Sequence, residues 1–267
     1  MVVSQEEAGY LEVPSAHLYT VLHRVAEPVA RVLLVGPLAS ERHFTYHPWV
    51  RWARYLAARR VEVLRYDYRG VGESTGAFEE MSFENWCEDV RLLIKWIESR
   101  SPHAPLVLHG LELGAILAAQ AFSDGKGDAL LLWSPPSNAN QALRSTLQHW
   151  AGMEQLFESA GNRKPFSDYV KEMQQGSPIE VQGYQWPSHL WKDSFDYELP
   201  AGLTDNISSY KGKPVKIINL SKECAPLVRP HLRYDEVTNL QWLYTDNLKW
   251  IDSALSLSIG GLDEKGN

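Results

Sequence analysis

The stretch that most restricts this chain is Leu106-Val107-Leu108-His109-Gly110-Leu111-Glu112-Leu113-Gly114-Ala115, which runs on through small residues to Phe122. An apolar run, a turn with glycine at both ends and a small-residue helix describe a buried strand passing straight into a helix. The glycines fit that reading, because a Cβ on either side of so tight a turn would strike neighbouring backbone. A strand of this kind needs parallel partners and helices on both faces.

The rest of the chain supplies them. Tyr10 to Val13 and Leu18 to Val25 read as an opening antiparallel pair, and Arg31 to Val35 as a buried strand stopped by Gly36-Pro37. Pro48 suits the first position of a helix carrying Trp49, Trp52, Ala53 and Leu56 at i, i+3, i+4 and i+7 and ending near Arg60. Val61 to Tyr66 is the next strand, and Arg69 to Gly76 a glycine-rich turn. A helix follows through Phe83, Trp86, Val90, Ile94 and Ile97, with Ser82 as its N-cap. Ala129 to Trp133 is again a strand, and the rhythm lapses from Ser137 to Pro200. It returns with Val215 to Leu220, a last strand over Glu236 to Trp242 and a closing helix over Asn247 to Leu257. The expected architecture is α/β, a mostly parallel sheet with helices on both faces. Residues 1–267 then form one domain, with 137–200 as a lid-like insertion too short to carry its own large core.

The order of these parts resembles the α/β-hydrolase superfamily, on the Gly110-x-Glu112-x-Gly114 turn, the Gly36-Pro37 loop and Tyr66-Asp67-Tyr68-Arg69-Gly70-Val71-Gly72-Glu73-Ser74 between them. Within it the chain is similar to serine aminopeptidase-like proteins. More narrowly it resembles exosortase-system-associated hydrolases, on Gly110 to Ala115, Gly183-Tyr184 and the aromatic stretch at Gln241-Trp242. That likeness implies a bacterial protein tied to surface-polysaccharide or protein-sorting systems.

The departures bear most on function. Glu112 stands where the superfamily places its serine nucleophile. The acid expected after the strand at Val215 to Leu220 is replaced by Ala225, with Glu223 two residues earlier as the nearest carboxylate. No histidine occurs from Leu232 to Asn267, and His231 precedes the expected last strand instead of following it. Without a general base, a Ser-His-Asp cycle loses several orders of magnitude in rate. An oxyanion hole needs only backbone N–H groups, here those of Leu113 and Leu38, and the helix start favours an ionised Glu112 folded back onto them. The first expectation is therefore a pseudoenzyme with a degenerate triad that binds a small molecule, a peptide or a protein partner. The alternative is a hydrolase of small ester-, amide- or alkyl-type substrates with Glu112 as nucleophile or acid/base, Glu223 assisting.

His43, His47 and His109 are placed near the same mouth, with His43 and His109 as pocket residues, and Trp186 and Trp191 as aromatics that roof a pocket or pack in the core. No ligand spacing supports a metal site, so none is expected. The Gly70 to Gly76 loop lacks both the third glycine of a dinucleotide fingerprint and the lysine of a P-loop, and no cofactor is expected. Ser74 has no catalytic motif around it.

Composition closes off other classes. A formal net charge of −7, from 33 acidic and 26 basic residues, speaks against sequence-independent binding to nucleic acid. No window reaches the roughly 18 apolar residues that span a bilayer. With only Cys87 and Cys224, there is no disulfide scaffold, and a cytoplasmic location is expected.

Overall fold

The computed structural model describes residues 5–38, 41–157, 164–204, 206–220 and 240–259. In chain order the elements are β1 (Gln5–Val13), β2 (Ala16–Arg24), β3 (Ala30–Val35), α1 (Glu41–Ala57), β4 (Val61–Tyr66), α2 (Phe83–Arg100), β5 (Leu106–Leu111), α3 (Leu113–Ser123) and β6 (Ala129–Trp133). After them come α4 (Ala139–Phe157), α5 (Phe166–Gln174), β7 (Ile179–Val181), β8 (Tyr184–Trp186), α6 (Ser188–Asp193), β9 (Ser209–Tyr210), β10 (Lys213–Ile218) and α7 (Gln241–Ala254).

Eight strands form one sheet in the order β1-β2-β4-β3-β5-β6-β10-β9, and β7 and β8 pair apart from it. The pairings from β4 through β3, β5 and β6 to β10 are parallel. β1 and β2 add an antiparallel edge, as the opening pair predicts. Every residue of β3, β5 and β6 is buried, as expected of parallel strands covered on both faces.

Two apolar clusters sandwich the sheet. Leu33, Val35, Leu106 and Leu108 point to the α2–α3 side, and Val32, Leu34, Val107 and Leu111 to the α1–α7 side. This period-two alternation puts His109, between Leu108 and Gly110, on the α1–α7 side. Helix α2 begins as its sequence predicts: Ser82 Oγ accepts from Asn85 N at 3.2 Å, and Asn85 Oδ1 accepts from Ser82 N at 3.1 Å.

Two helices depart from expectation. α1 starts at Glu41, so Pro48 lies inside it, and His43 and His47 sit four residues apart on a helix and not in a loop. An interior proline removes a backbone donor and strains one turn. That local cost is offset by burial of Trp49, Val50, Trp52, Ala53 and Leu56, and Tyr244 Oη donates to the Pro48 carbonyl at 2.8 Å. The expected last strand ends inside α7: residues 236–239 lie outside the described residues, and Trp242 is helical with its ring partly exposed. Leu240 to Tyr244 is a short apolar run that periodicity alone assigns to neither class; Leu243, Leu248 and Ile251 settle it by packing on the sheet at helical spacing.

Candidate functional site

In the strand order, β4 lies to one side of β3 and β5 to the other. Connections leaving β3 and β5 therefore diverge, and the crevice at their carboxyl ends is where open α/β sheets hold ligands. Leu38 follows β3 and Glu112-Leu113 follows β5, so both flank this switch point.

The turn after β5 is strained. Glu112 has φ 52° and ψ −125°, a conformation costly for any residue but glycine. It is held by Glu112 N donating to Trp133 O at 3.0 Å and by Ala115 N donating to Glu112 O at 2.9 Å. The flanking glycines are enforced: a Cβ on Gly110 would lie 2.3 Å from Ala115 Cα, and one on Gly114 would lie 2.2 Å from both the Val35 and Gly36 carbonyl oxygens. The helix start is thus seated directly on the end of β3. Tyr68 Oη donates to the Gly36 carbonyl at 2.6 Å and fixes that end from the other side.

The N–H of Leu113 belongs to the first turn of α3, whose leading donors have no partner inside the helix. The side chains of Leu113 and Leu38 are buried at 3% and 6% exposure, which anchors the backbone around both groups. Glu112 itself is half-buried at the apex.

His109 does not reach this mouth. It has no solvent exposure and accepts from Trp52 Nε1 through Nδ1 at 3.0 Å. The rings of Trp49 and Trp133 stand edge-on to it at 4.9 and 4.5 Å. Burial pulls its pKa down to about 3, so the imidazole is neutral and is a core residue, not a base for Glu112. His47 is exposed on α1. The side chain of His43, and the whole of Glu223, Ala225 and His231, lie outside the described residues. Trp186, at the end of β8, and Trp191, on α6, are each 2% exposed and belong to the core on the α2–α3 side. Ser74 Oγ donates to the Asp67 carbonyl at 2.6 Å and accepts from Tyr19 N at 2.8 Å, a structural role. Among the described residues there is no group of three or more His, Cys, Asp or Glu placed to hold a metal ion, and no helix long and apolar enough to cross a membrane.

Two features escaped the sequence. Ser134, at the end of β6, has φ 46°; its N–H donates to Ile218 O at 2.7 Å and its Oγ accepts from Leu220 N at 2.9 Å, bolting the ends of β6 and β10 together. Asp67, nearly buried after β4, accepts from Arg42 at 2.7 Å and from Glu73 N at 3.0 Å. Gly72 is required beside that pair, since its Cβ would meet Asp67 Oδ2 at 2.3 Å. An aspartate opening a glycine-rich loop was the available signal for the second; nothing in sequence marked the first.

The strand order and the strained turn together define an α/β-hydrolase fold. A profile of the family described as serine aminopeptidase, S33, matches residues 19–184, more than half of the chain, and the chain belongs to that family. Among solved structures it is similar to Est1E from Butyrivibrio proteoclasticus with ferulic acid bound, at 15% identity and a TM-score of 0.61, covering 93% of this chain and 100% of that one. It is also similar to α/β hydrolase domain-containing protein 10 from mouse, at 15% identity and a TM-score of 0.56, covering 92% and 99%. A match to an α/β serine hydrolase without a lid from Xanthomonas campestris spans 50% of this chain and 62% of that one, at 24% identity and a TM-score of 0.43. No curated protein matches the chain in sequence.

Proposed function

We propose that this chain has left serine-hydrolase chemistry and works by binding a small molecule or a protein segment over the turn at Glu112. The observation that carries this reading is the strained apex itself: the backbone geometry of a nucleophile station is kept, with both glycines walled in, around a carboxylate. A carboxylate cannot replace an activated alkoxide in acyl transfer. The sequence after Leu232 offers no histidine, and His109 is committed to Trp52 in the core.

On this reading the N–H groups of Leu113 and Leu38 form an anion cradle that the Glu112 carboxylate occupies, and the segment 137–200 is the lid over it. A reducing, cytoplasmic setting suits a chain whose Cys87 is unpaired. The enzyme reading, with Glu112 as nucleophile or acid/base, stands second because the histidine of the strand that leads into the turn, His109, is held in the core by Trp52.

The test is activity-based labelling with a fluorophosphonate probe together with p-nitrophenyl acetate turnover, on the full chain and on Glu112→Ser. Neither protein is expected to label or to turn over above background. Labelling of the unaltered chain, or turnover by Glu112→Ser, overturns the proposal, the latter because it requires an intact base and acid.

A further inference from the structure

The groove beside the turn at Glu112 restricts the class of small molecule that can lie there. Its outer part, of about 510 Å³, is bounded by Tyr19, Arg42, Tyr46 and Glu73, within the size range of small-molecule sites. It shares Arg42 and Tyr46 with an inner void of about 30 Å³ that extends to Gly36 and Pro37. The Gly36 carbonyl is one of the two against which Gly114 is seated, so the groove is the outer arm of the site at Glu112. The void exceeds the roughly 10–15 Å³ that one water needs, which suits a water or a single polar group, and the body of a ligand must lie in the outer part.

Charge along the groove is already balanced. Arg42 gives Nη2 to the buried carboxylate of Asp67 at 2.7 Å. Arg65 is answered by His23, which accepts from its Nε at 3.2 Å, and by the charge of Glu6. No positive charge is therefore left over for an anion. A cation fares no better, because the guanidinium carbons of Arg42 and Arg65 stand 5.7 and 5.5 Å from the centre of the Tyr46 ring, where it would otherwise sit. The ligand that fits is uncharged.

Its hydrogen-bonding edge is set by Asp67. Oδ2 of that residue accepts from Arg42 Nη2 and, at 3.0 Å, from the backbone N–H of Glu73. The guanidinium and Glu73 are thereby held side by side, next to Gly72, whose Cβ would lie 2.9 Å from Arg42 Cζ. The two side chains do not pair with each other. The Glu73 carboxylate is exposed, and among the described residues no donor engages it and no further acceptor takes the other nitrogens of Arg42. The groove thus presents N–H donors beside an acceptor with two oxygens. Its complement is a carbonyl next to N–H groups, and the N–H contacts to the carboxylate are of the stronger, charge-assisted kind. Tyr19 and the 46% exposed ring of Tyr46 bound the same space and favour a flat body.

We propose that this groove binds an uncharged planar lactam heterocycle of the guanine type, stacked on Tyr19 and Tyr46, with its N–H edge on Glu73 and its carbonyl toward Arg42. The proposal rests on the reading given above, that the site binds and does not hydrolyse. A free base or nucleoside suits this lining better than a nucleotide, whose phosphate would find no unpaired cation.

The test is calorimetric titration of the full chain with guanosine, compared with adenosine, whose edge reverses donor and acceptor, with D-ribose and with guanosine monophosphate. Guanosine is expected to bind at least tenfold more tightly than adenosine or ribose, and the monophosphate no more tightly than guanosine. Glu73→Gln, at an exposed position that leaves the melting temperature unchanged, is expected to weaken guanosine at least tenfold, and Tyr46→Ala at least threefold. No binding of guanosine, adenosine or ribose equal to it, a monophosphate bound tenfold more tightly, or unchanged affinity in either variant overturns the proposal. Failure of the binding reading shows separately, as fluorophosphonate labelling or p-nitrophenyl acetate turnover. A chain that does neither and ignores guanosine overturns the lactam assignment alone.

Discussion

The indole Nε1 of Trp52 donates to Nδ1 of His109 at 3.0 Å, which commits the histidine of β5 to the core as a neutral acceptor. Its proton must then sit on Nε2, which is buried without a hydrogen-bond partner. The sign of the resulting pH dependence follows directly. The folded pKa is about 3 against 6.5 for the ordinary group, so between those values the unfolded chain binds a proton that the folded chain does not. Stability therefore falls as pH drops below about 6.5, by about 1.4 kcal/mol per pH unit for each such histidine. His23, lowered to about 4, acts in the same direction. Urea unfolding at about pH 7.5 and about pH 5.5 should show the chain losing about 1.4 kcal/mol per histidine, and His109→Leu should narrow the difference by one such share. An unchanged difference in that variant would place the titration elsewhere.

Arg69 and Asp89 form a buried pair on the opposite face of the sheet, at 5% and 0% exposure, with Arg69 Nε 3.1 and 3.2 Å from the two carboxylate oxygens and Nη2 donating to Oδ1. Burial pushes the Asp89 carboxyl upward in pKa, and the guanidinium opposes that shift. Removing Asp89 leaves the Arg69 guanidinium in the core with only the half-exposed Glu88, 3.8 Å away, as counter-ion, so Asp89→Leu should cost about 3 kcal/mol, the lower end for a broken buried pair. Replacing both, as Arg69→Met with Asp89→Leu, should recover at least half of that loss. A double variant as unstable as the single one in denaturant titration would mean that packing, not the stranded charge, sets the cost.

The turn at Glu112 stores strain that a glycine would release. Glu112→Gly should raise stability by about 1 kcal/mol, the relief of a φ of 52° less the added chain entropy. Gly114→Ala should do the opposite, and severely, because its Cβ meets two carbonyl oxygens at 2.2 Å on a backbone that cannot retreat. Thermal melts of the two variants should move in opposite directions from the parent. A fall in both would mean that the Glu112 side chain stabilises the turn by more than its backbone strain costs.

That turn was legible in sequence because its constraint is local: two glycines, an apolar strand before and small residues after leave one backbone path. The parallel strands were legible for a related reason, since burial on both faces demands the uninterrupted runs Val32 to Val35 and Ala129 to Trp133. What was lost depended on partners distant in the chain. Pro48 signals a helix start by itself, and only its contact with Tyr244 and the packing of Trp49 and Trp52 show that the helix runs through it. His109 resembles a cleft residue until the parity of β5, fixed by the glycine turn, sends it to the far face. Trp242 reads as strand only if the packing of Leu243, Leu248 and Ile251 on the sheet is ignored. Arg42, Tyr46 and Arg65 come together from a helix and a strand that share no motif.

Cys87 offers a direct check on the packing of α2 against the sheet. Its thiol is 5% exposed, and burial, reinforced by the charge of Glu84, pushes its pKa up to about 12. At about pH 8 the thiolate fraction is then about 10⁻⁴, against roughly a tenth or more for a free thiol, and the thiolate is the reactive form. In a Cys224→Ser protein, where Cys87 is the remaining thiol, reaction with Ellman's reagent should run about a thousandfold slower in the native state than in denaturant. Its rate should also track unfolding, rising steeply with urea below the transition. A fast, urea-independent reaction would mean that α2 opens locally at Cys87, and that the aromatic layer of Phe83, Trp86 and Tyr68 beside it does not seal this face of the sheet.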